Sequence, residues 1–160
     1  MVLPHSLHLT KRGFTLVEIM IVMAFVAIVG SFTMLMSMDT YRSYNFHTER
    51  DLAIAALQHA RALAMGNTCT GGTCTTGKAH GVSIQADKYV IFQGDTYATR
   101  DASEDSVIQA NVAVAHSGLL EIVFTQLSGN STTPGTITFS DATRSSSITI
   151  GAQGQIFWSN

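Results

Sequence analysis

Lys11-Arg12-Gly13-Phe14-Thr15-Leu16-Val17-Glu18 opens an apolar run that continues to Met38. Two basic residues precede the glycine, one carboxylate follows it, and no further charge occurs before Asp39. The other polar side chains of the run, Thr15, Ser31, Thr33 and Ser37, are small enough to bond back to carbonyls of their own helix. At 1.5 Å per residue, Phe14 to Met38 makes roughly 37 Å of helix, enough to cross a ~30 Å hydrocarbon layer with some tilt. The core of a soluble domain rarely needs such a segment. The stretch reads as a processing site joined to a membrane helix.

Gly13-Phe14-Thr15-Leu16-Val17-Glu18 resembles the cleavage and methylation motif of type IV prepilins and of the pseudopilins of type II secretion. The resemblance implies that a membrane prepilin peptidase cuts between Gly13 and Phe14, that Phe14 becomes the N-methylated terminus, and that Glu18 is the buried acid of the mature helix. It also implies a location: a single-pass protein of the bacterial inner membrane with its C-terminal domain exported, later part of a periplasmic or cell-surface filament. Lys11 and Arg12 on the N-terminal side agree, because basic residues stay cytoplasmic. An ordinary secretory signal loses its apolar core on cleavage, whereas here the core follows the cut and is retained. A plain uncleaved signal anchor would explain the charge asymmetry, but not Gly13 and Glu18 together.

A lone carboxylate in hydrocarbon is costly unless paired, so Glu18 calls for a partner. Cleavage after Gly13 would create one, the α-amine of Phe14, on the same chain or on a neighbouring subunit. Glu18 also falls in the first turn of the shortened helix, where the macrodipole favours negative charge. The plainer reading is that Glu18 marks a helix start at the interface.

The chain divides on this basis into a leader (1–13), an anchor or filament-core half-helix (14–38), an amphipathic half-helix (39–66) and a β-rich domain (67–160). The expected fold class is α+β: a long N-terminal helix followed by a small antiparallel sheet domain. About 95 residues follow the helix, enough for one compact core and not for two. Beyond the anchor, Asp39, Arg42, Glu49, Arg50 and Asp51 supply charge. Phe46, Ile54, Leu57, Arg61 and Ala64, with the parallel row Ala53, Ala56, Ala60 and Leu63, recur at helical spacing. One helix is predicted from about Thr15 to Met65, ended by Gly66-Asn67. Related helices often carry a proline about where Leu35 stands; this helix has none, and Gly30 is its soft point.

Strands are predicted at 81–85, 89–93, 119–125, 136–140, 147–150 and 155–158, with Ala86-Asp87 as the first hairpin turn and turn-rich connections at Ser128-Gly129-Asn130 and Pro134-Gly135. The charged segment 99–106 is expected to be a solvated surface loop. Cys69 and Cys74 flank a tetrapeptide in an exported domain, which reads as a small disulfide loop that stiffens itself and little else. The pair is too few for zinc and too widely spaced for a redox motif. Arg61, on the domain face of the helix, could bind an anion, but is expected to snorkel or to pair with a nearby acid, and His59 to lie on the surface. The histidines show no metal spacing, and neither a metal site nor a cofactor is expected.

The order of elements is similar to that of GspH/FimT-type minor pseudopilins, on the helix end 51–65, the strand start Gly81-Val82 and the segment Ile148 to Ile156. DNA-binding members carry Gly-Arg-x-Arg where this chain has Gly154-Gln155-Ile156-Phe157. After Gly66 four basic side chains face seven acidic ones, a net of −3, so no basic face for nucleic acid is expected. No G-x-S-x-G, H-E-x-x-H or phosphate-loop pattern occurs, which argues for a non-enzyme. The resemblance implies a minor structural subunit of a type IV pilus or type II secretion pseudopilus. Its partners would be other pilin or pseudopilin subunits, the peptidase and methyltransferase, and the inner membrane. The alternatives are a filament-tip binding module for DNA, a surface or a secreted substrate, and an anchored domain that never polymerises.

Overall fold

The computed structural model describes residues 13–72 and 74–159. The leader before Gly13 lies outside the described residues. One helix, α1, runs Leu16–Met65, followed by eight strands: β1 (His80–Ile84), β2 (Lys88–Gln93), β3 (Ser106–Gln109), β4 (Ala115–Gly118), β5 (Glu121–Phe124), β6 (Gly135–Ser140), β7 (Ser145–Ile150) and β8 (Ile156–Ser159). The fold class is α+β, as the sequence predicts. Two units divide between Arg42 and Ser43, inside the helix.

The first unit is helix from Leu16 onward, and every described side chain from Phe14 to Thr33 is exposed. The hydroxyls of Ser31 and Thr33 donate to the carbonyls of Ala27 and Val29 at 2.8 and 2.9 Å, which removes their polarity from the surface. The helix passes through Gly30 without interruption.

In the second unit the helix has a buried stripe of Phe46, Ala53, Ala56, Leu57, Ala60 and Ala64. Alanines at helical spacing leave room for bulky strand side chains, and the stripe shares one core with Val82, Ile91, Ile122, Phe124, Ile137, Phe139, Ile148 and Ile150. The C-terminus closes as a Schellman motif. Thr68 N–H reaches the Leu63 carbonyl, Asn67 N–H reaches Ala64, and Asn67 takes the left-handed conformation at φ 52°.

The predicted single sheet is two four-stranded antiparallel sheets, ordered β3-β2-β1-β5 and β4-β6-β7-β8. The six predicted strands are present within a residue or two of their expected ends, and the first hairpin turns at Ala86-Asp87, where Gln85 N–H bonds the Lys88 carbonyl. β3 and β4 were not predicted. Ser-Val-Ile-Gln is a half-exposed edge, and Ala-His-Ser-Gly has no strand-forming residue; pairing to β2 and β6 makes them strands.

The segment 99–106 lies at the surface as expected, with no buried residue, but it is ordered into turns rather than an open loop. With the residues before it, it forms two 3₁₀ turns, Tyr97–Thr99 and Ala102–Glu104, and Tyr97 packs on a second small core of Ala79, Phe92 and Val123. This explains why β1 and β2 are buried on both faces. Gly81 is required there, because a Cβ would lie 2.5 Å from the Phe92 ring and 2.6 Å from the Ile122 carbonyl oxygen.

Candidate assembly site

The helix start carries an N-cap, one half of a capping box. Thr15 Oγ1 accepts the backbone N–H of Glu18 at 3.2 Å, so the threonine is the N-cap and the glutamate is the third helical residue. The Thr-x-x-Glu spacing of 15–18 carries this signal, and the sequence reading passed over it. Among the described residues the Glu18 carboxylate has no hydrogen-bond or ion-pair partner. Phe14 is 77% exposed. A Cβ on Gly13 would meet nothing within 4 Å, so this fold places no demand for glycine there. Gly13, Phe14 and Glu18 therefore sit together at an open helix start whose own packing uses none of them.

The second polar centre lies among residues that the sequence marks only as charge on the amphipathic half-helix. Glu49 is 2% exposed and Arg50 8%, because they fall three and four residues after Phe46 and before Ala53, on the buried stripe. The Tyr89 hydroxyl donates to Glu49 Oε1 at 2.5 Å, and Asn111 N–H donates to Oε2 at 2.8 Å. His116 Nε2 lies 3.3 Å from Glu49 Oε1 and 3.0 Å from the Tyr89 oxygen. Its Nδ1 is buried without a partner, which fits the tautomer with hydrogen on Nε2. Burial pushes the Glu49 pKa up, but hydrogen bonds from His116, Tyr89 and Asn111 outweigh it and hold the carboxyl below its ordinary value. The Tyr89 hydroxyl is pushed above its ordinary value by burial and then by Glu49. One helical carboxylate thus ties α1 to β2, to β4 of the other sheet and to the loop at Asn111. It is a clasp.

Arg50 pairs with Asp51 at 2.9 Å and lies 4.4 Å over the Trp158 ring on β8. Arg61 neither snorkels nor finds an acid. Its Nε donates to the Gly129 carbonyl at 3.3 Å and its Nη2 to the Gln153 carbonyl at 3.2 Å. His59 is exposed, as expected.

Cys69 and Cys74 are joined as a disulfide with Cα atoms 5.8 Å apart. The loop does more than stiffen itself. Gln93, 3% exposed at the end of β2, accepts the Thr70 N–H through Oε1 at 2.8 Å and donates through Nε2 to the Thr70 carbonyl at 3.2 Å. The amide docks the disulfide loop onto the sheet.

A family described as "Type II transport protein GspH" matches residues 51–154, most of the chain. The chain belongs to the GspH family. A second match, "Prokaryotic N-terminal methylation motif", covers residues 9–34. No curated protein and no solved structure matches. The GspH match begins beside Glu49 and Arg50 and ends at Gly154 in the β7–β8 turn, so it takes in the disulfide loop, the whole first sheet and the second sheet up to β7. The methylation-motif match takes in Gly13, Phe14, the cap at Thr15 and Glu18. A GspH-type chain with this N-terminal motif is a minor pseudopilin of the type II secretion class, and the family is structural rather than enzymatic. Among the described residues, α1 has a stretch apolar enough and long enough to cross a membrane.

Proposed function

We propose that this GspH-type pseudopilin is cut between Gly13 and Phe14, N-methylated at Phe14, and drawn into a filament by the Glu18 carboxylate. The observation that carries this reading is an uninterrupted apolar half-helix, exposed from Phe14 to Thr33, whose sole acid has no partner among the described residues. The leader (1–13) leaves, the segment 14–38 stays in the inner membrane as a single pass, the helix continues through 39–66, and the exported domain (67–160) rides on it. Before assembly the lipid covers Phe14 to Met38; afterwards the same side chains bundle with those of neighbouring subunits. The charged α-amine of an entering subunit satisfies a buried carboxylate that would otherwise stand unpaired, which sets the axial register. The partners are other pseudopilin subunits, the prepilin peptidase with its methyltransferase activity, and the inner membrane. The chain acts as a substrate of those enzymes and not as one itself.

Glu18→Ala and Glu18→Val should leave membrane insertion and cleavage intact and reduce the protein recovered in sheared filaments by about thirtyfold or more, the order expected when a buried charge pair loses one member. Wild-type filament content in both variants would contradict the role given to Glu18. Gly13→Ser should leave the leader attached while the domain melts at the wild-type temperature, since nothing in the fold surrounds that position.

A further inference from the structure

Arg61 stands in an open cleft of about 470 Å³ between α1 and the β7–β8 turn, lined by Gln58, Ala62, Met65, Gln155 and Ile156. Its side chain is fixed from behind. Gly129 and Gly154 both take left-handed conformations, at φ 63° and 72°, and turn their neighbourhoods toward the helix. A Cβ on Gly154 would lie 2.9 Å from Arg61 Nε, and one on Gly129 would lie 3.3 Å from Arg61 Cγ and 2.5 Å from Met65 Cγ. The two glycines leave a slot that the arginine fills, and the carbonyls of Gly129 and Gln153 orient its guanidinium.

Those two bonds use two of the five donors and neutralise nothing. Arg50 and Arg100 each meet a carboxylate, at 2.9 and 2.8 Å, whereas no acid lies within ion-pair distance of Arg61 among the described residues. Nη1 and the remaining Nη2 hydrogen form the fork that a carboxylate accepts in two parallel bonds. Half-exposed Met65 and the partly buried Ile156 give the cleft an apolar wall.

We propose that Arg61 is the receptor for an Asp or Glu side chain on a neighbouring filament subunit, with an apolar residue beside that carboxylate covering Met65 and Ile156. The inference rests on the assembly reading above and adds a contact outside the anchor. Charge complementarity selects a protein carboxylate over nucleic acid. The cleft offers one cation among neutral and apolar side chains, while a polyanion needs a row of them, and the chain beyond Gly66 carries a net −3.

The test places a photo-crosslinking residue at Gln58 of the full chain, in cells that assemble the filament, with a second probe at Val26 in the anchor as control. The expected adduct at position 58 is a peptide of a filament subunit with Asp or Glu beside an apolar residue. Its yield should fall at least about tenfold in Arg61→Glu and less in Arg61→Lys, because the reversed charge repels the acid that Arg61 attracts. Changing the identified acid to arginine should restore the yield in the Arg61→Glu chain, which a misfolded domain could not do. An adduct on an acid-free peptide, on nucleic acid or on lipid, a yield indifferent to Arg61→Glu, or failure of the charge swap would overturn the proposal. Adducts at Val26 with none at Gln58 would sink this contact alone; none at either position would sink the assembly reading with it.

Discussion

The two halves of α1 have the same backbone and opposite side-chain economies. From Phe14 to Thr33 the helix is apolar all round and exposed all round. From Phe46 to Ala64 it is apolar along one stripe, and that stripe is buried against strands of its own chain. The acids differ in the same way. Glu49 is sealed within the domain and has partners on three sides, whereas Glu18 is exposed and has none among the described residues. The second half has its core within the fold; the first half has none among the described residues, and on the proposed reading finds it in lipid and then in other subunits.

Truncating a large side chain in each half sharpens this contrast most. Phe124→Ala should lower the unfolding free energy of the domain by about 3–5 kcal/mol, because Phe124 is fully buried and leaves a cavity. Phe25→Ala, in the exposed half, should change it by less than about 0.5 kcal/mol. Denaturant unfolding of the full chain in detergent measures both, and equal effects would break the comparison.

The clasp gives a smaller effect with a pH signature. Glu49→Ala strips the Tyr89 hydroxyl and the Asn111 N–H of their acceptor and should cost about 1–3 kcal/mol. The Glu49 pKa is lowered by folding, so its contribution is present above the unfolded-state value and is lost as pH falls through the folded one. Thermal melts of the wild type should therefore lose stability on acidification below the ordinary carboxylate range, and Glu49→Gln should flatten that part of the profile. An unchanged profile in Glu49→Gln would remove the clasp from the account.

Smaller still is the disulfide. Cys69→Ser with Cys74→Ser opens a six-residue ring and should cost at most about 2 kcal/mol. Because Gln93 holds Thr70 through its amide, the backbone N–H of Thr70 should keep part of its protection from hydrogen exchange in the double variant. Complete loss of that protection would show that the covalent bond, and not the amide, docks the loop.

Periodicity and turn chemistry carry much of this structure on the surface of the sequence. Helix length follows from the apolar run and the alanine rows, its end from Gly66-Asn67, and six strands from short apolar segments between turn residues. What stays hidden depends on tertiary partners. β4 is Ala-His-Ser-Gly and becomes a strand only beside β6, with Gly118 at φ 89° where few other residues fit. Glu49 and Arg50 look like solvated charge until their spacing from Phe46 and Ala53 is counted. Even then the tyrosine, histidine and backbone amide that satisfy the glutamate come from 40 to 67 residues away along the chain. Arg61 reads as a side chain that snorkels or pairs with an acid, and two carbonyls in glycine turns hold it instead. The residues proposed for processing show the opposite pattern. Gly13, Phe14 and Glu18 are legible as a motif although packing among the described residues makes no use of their side chains, as a constraint from outside the chain would leave them.

The most direct test of that last claim is the intact and N-terminal fragment mass of the protein extracted from membranes of cells with and without the prepilin peptidase. The account predicts a chain that begins at methylated Phe14 only where the peptidase is present, and one that keeps its leader where it is not. A chain that begins at Met1 in both would contradict it and leave an ordinary signal-anchored domain.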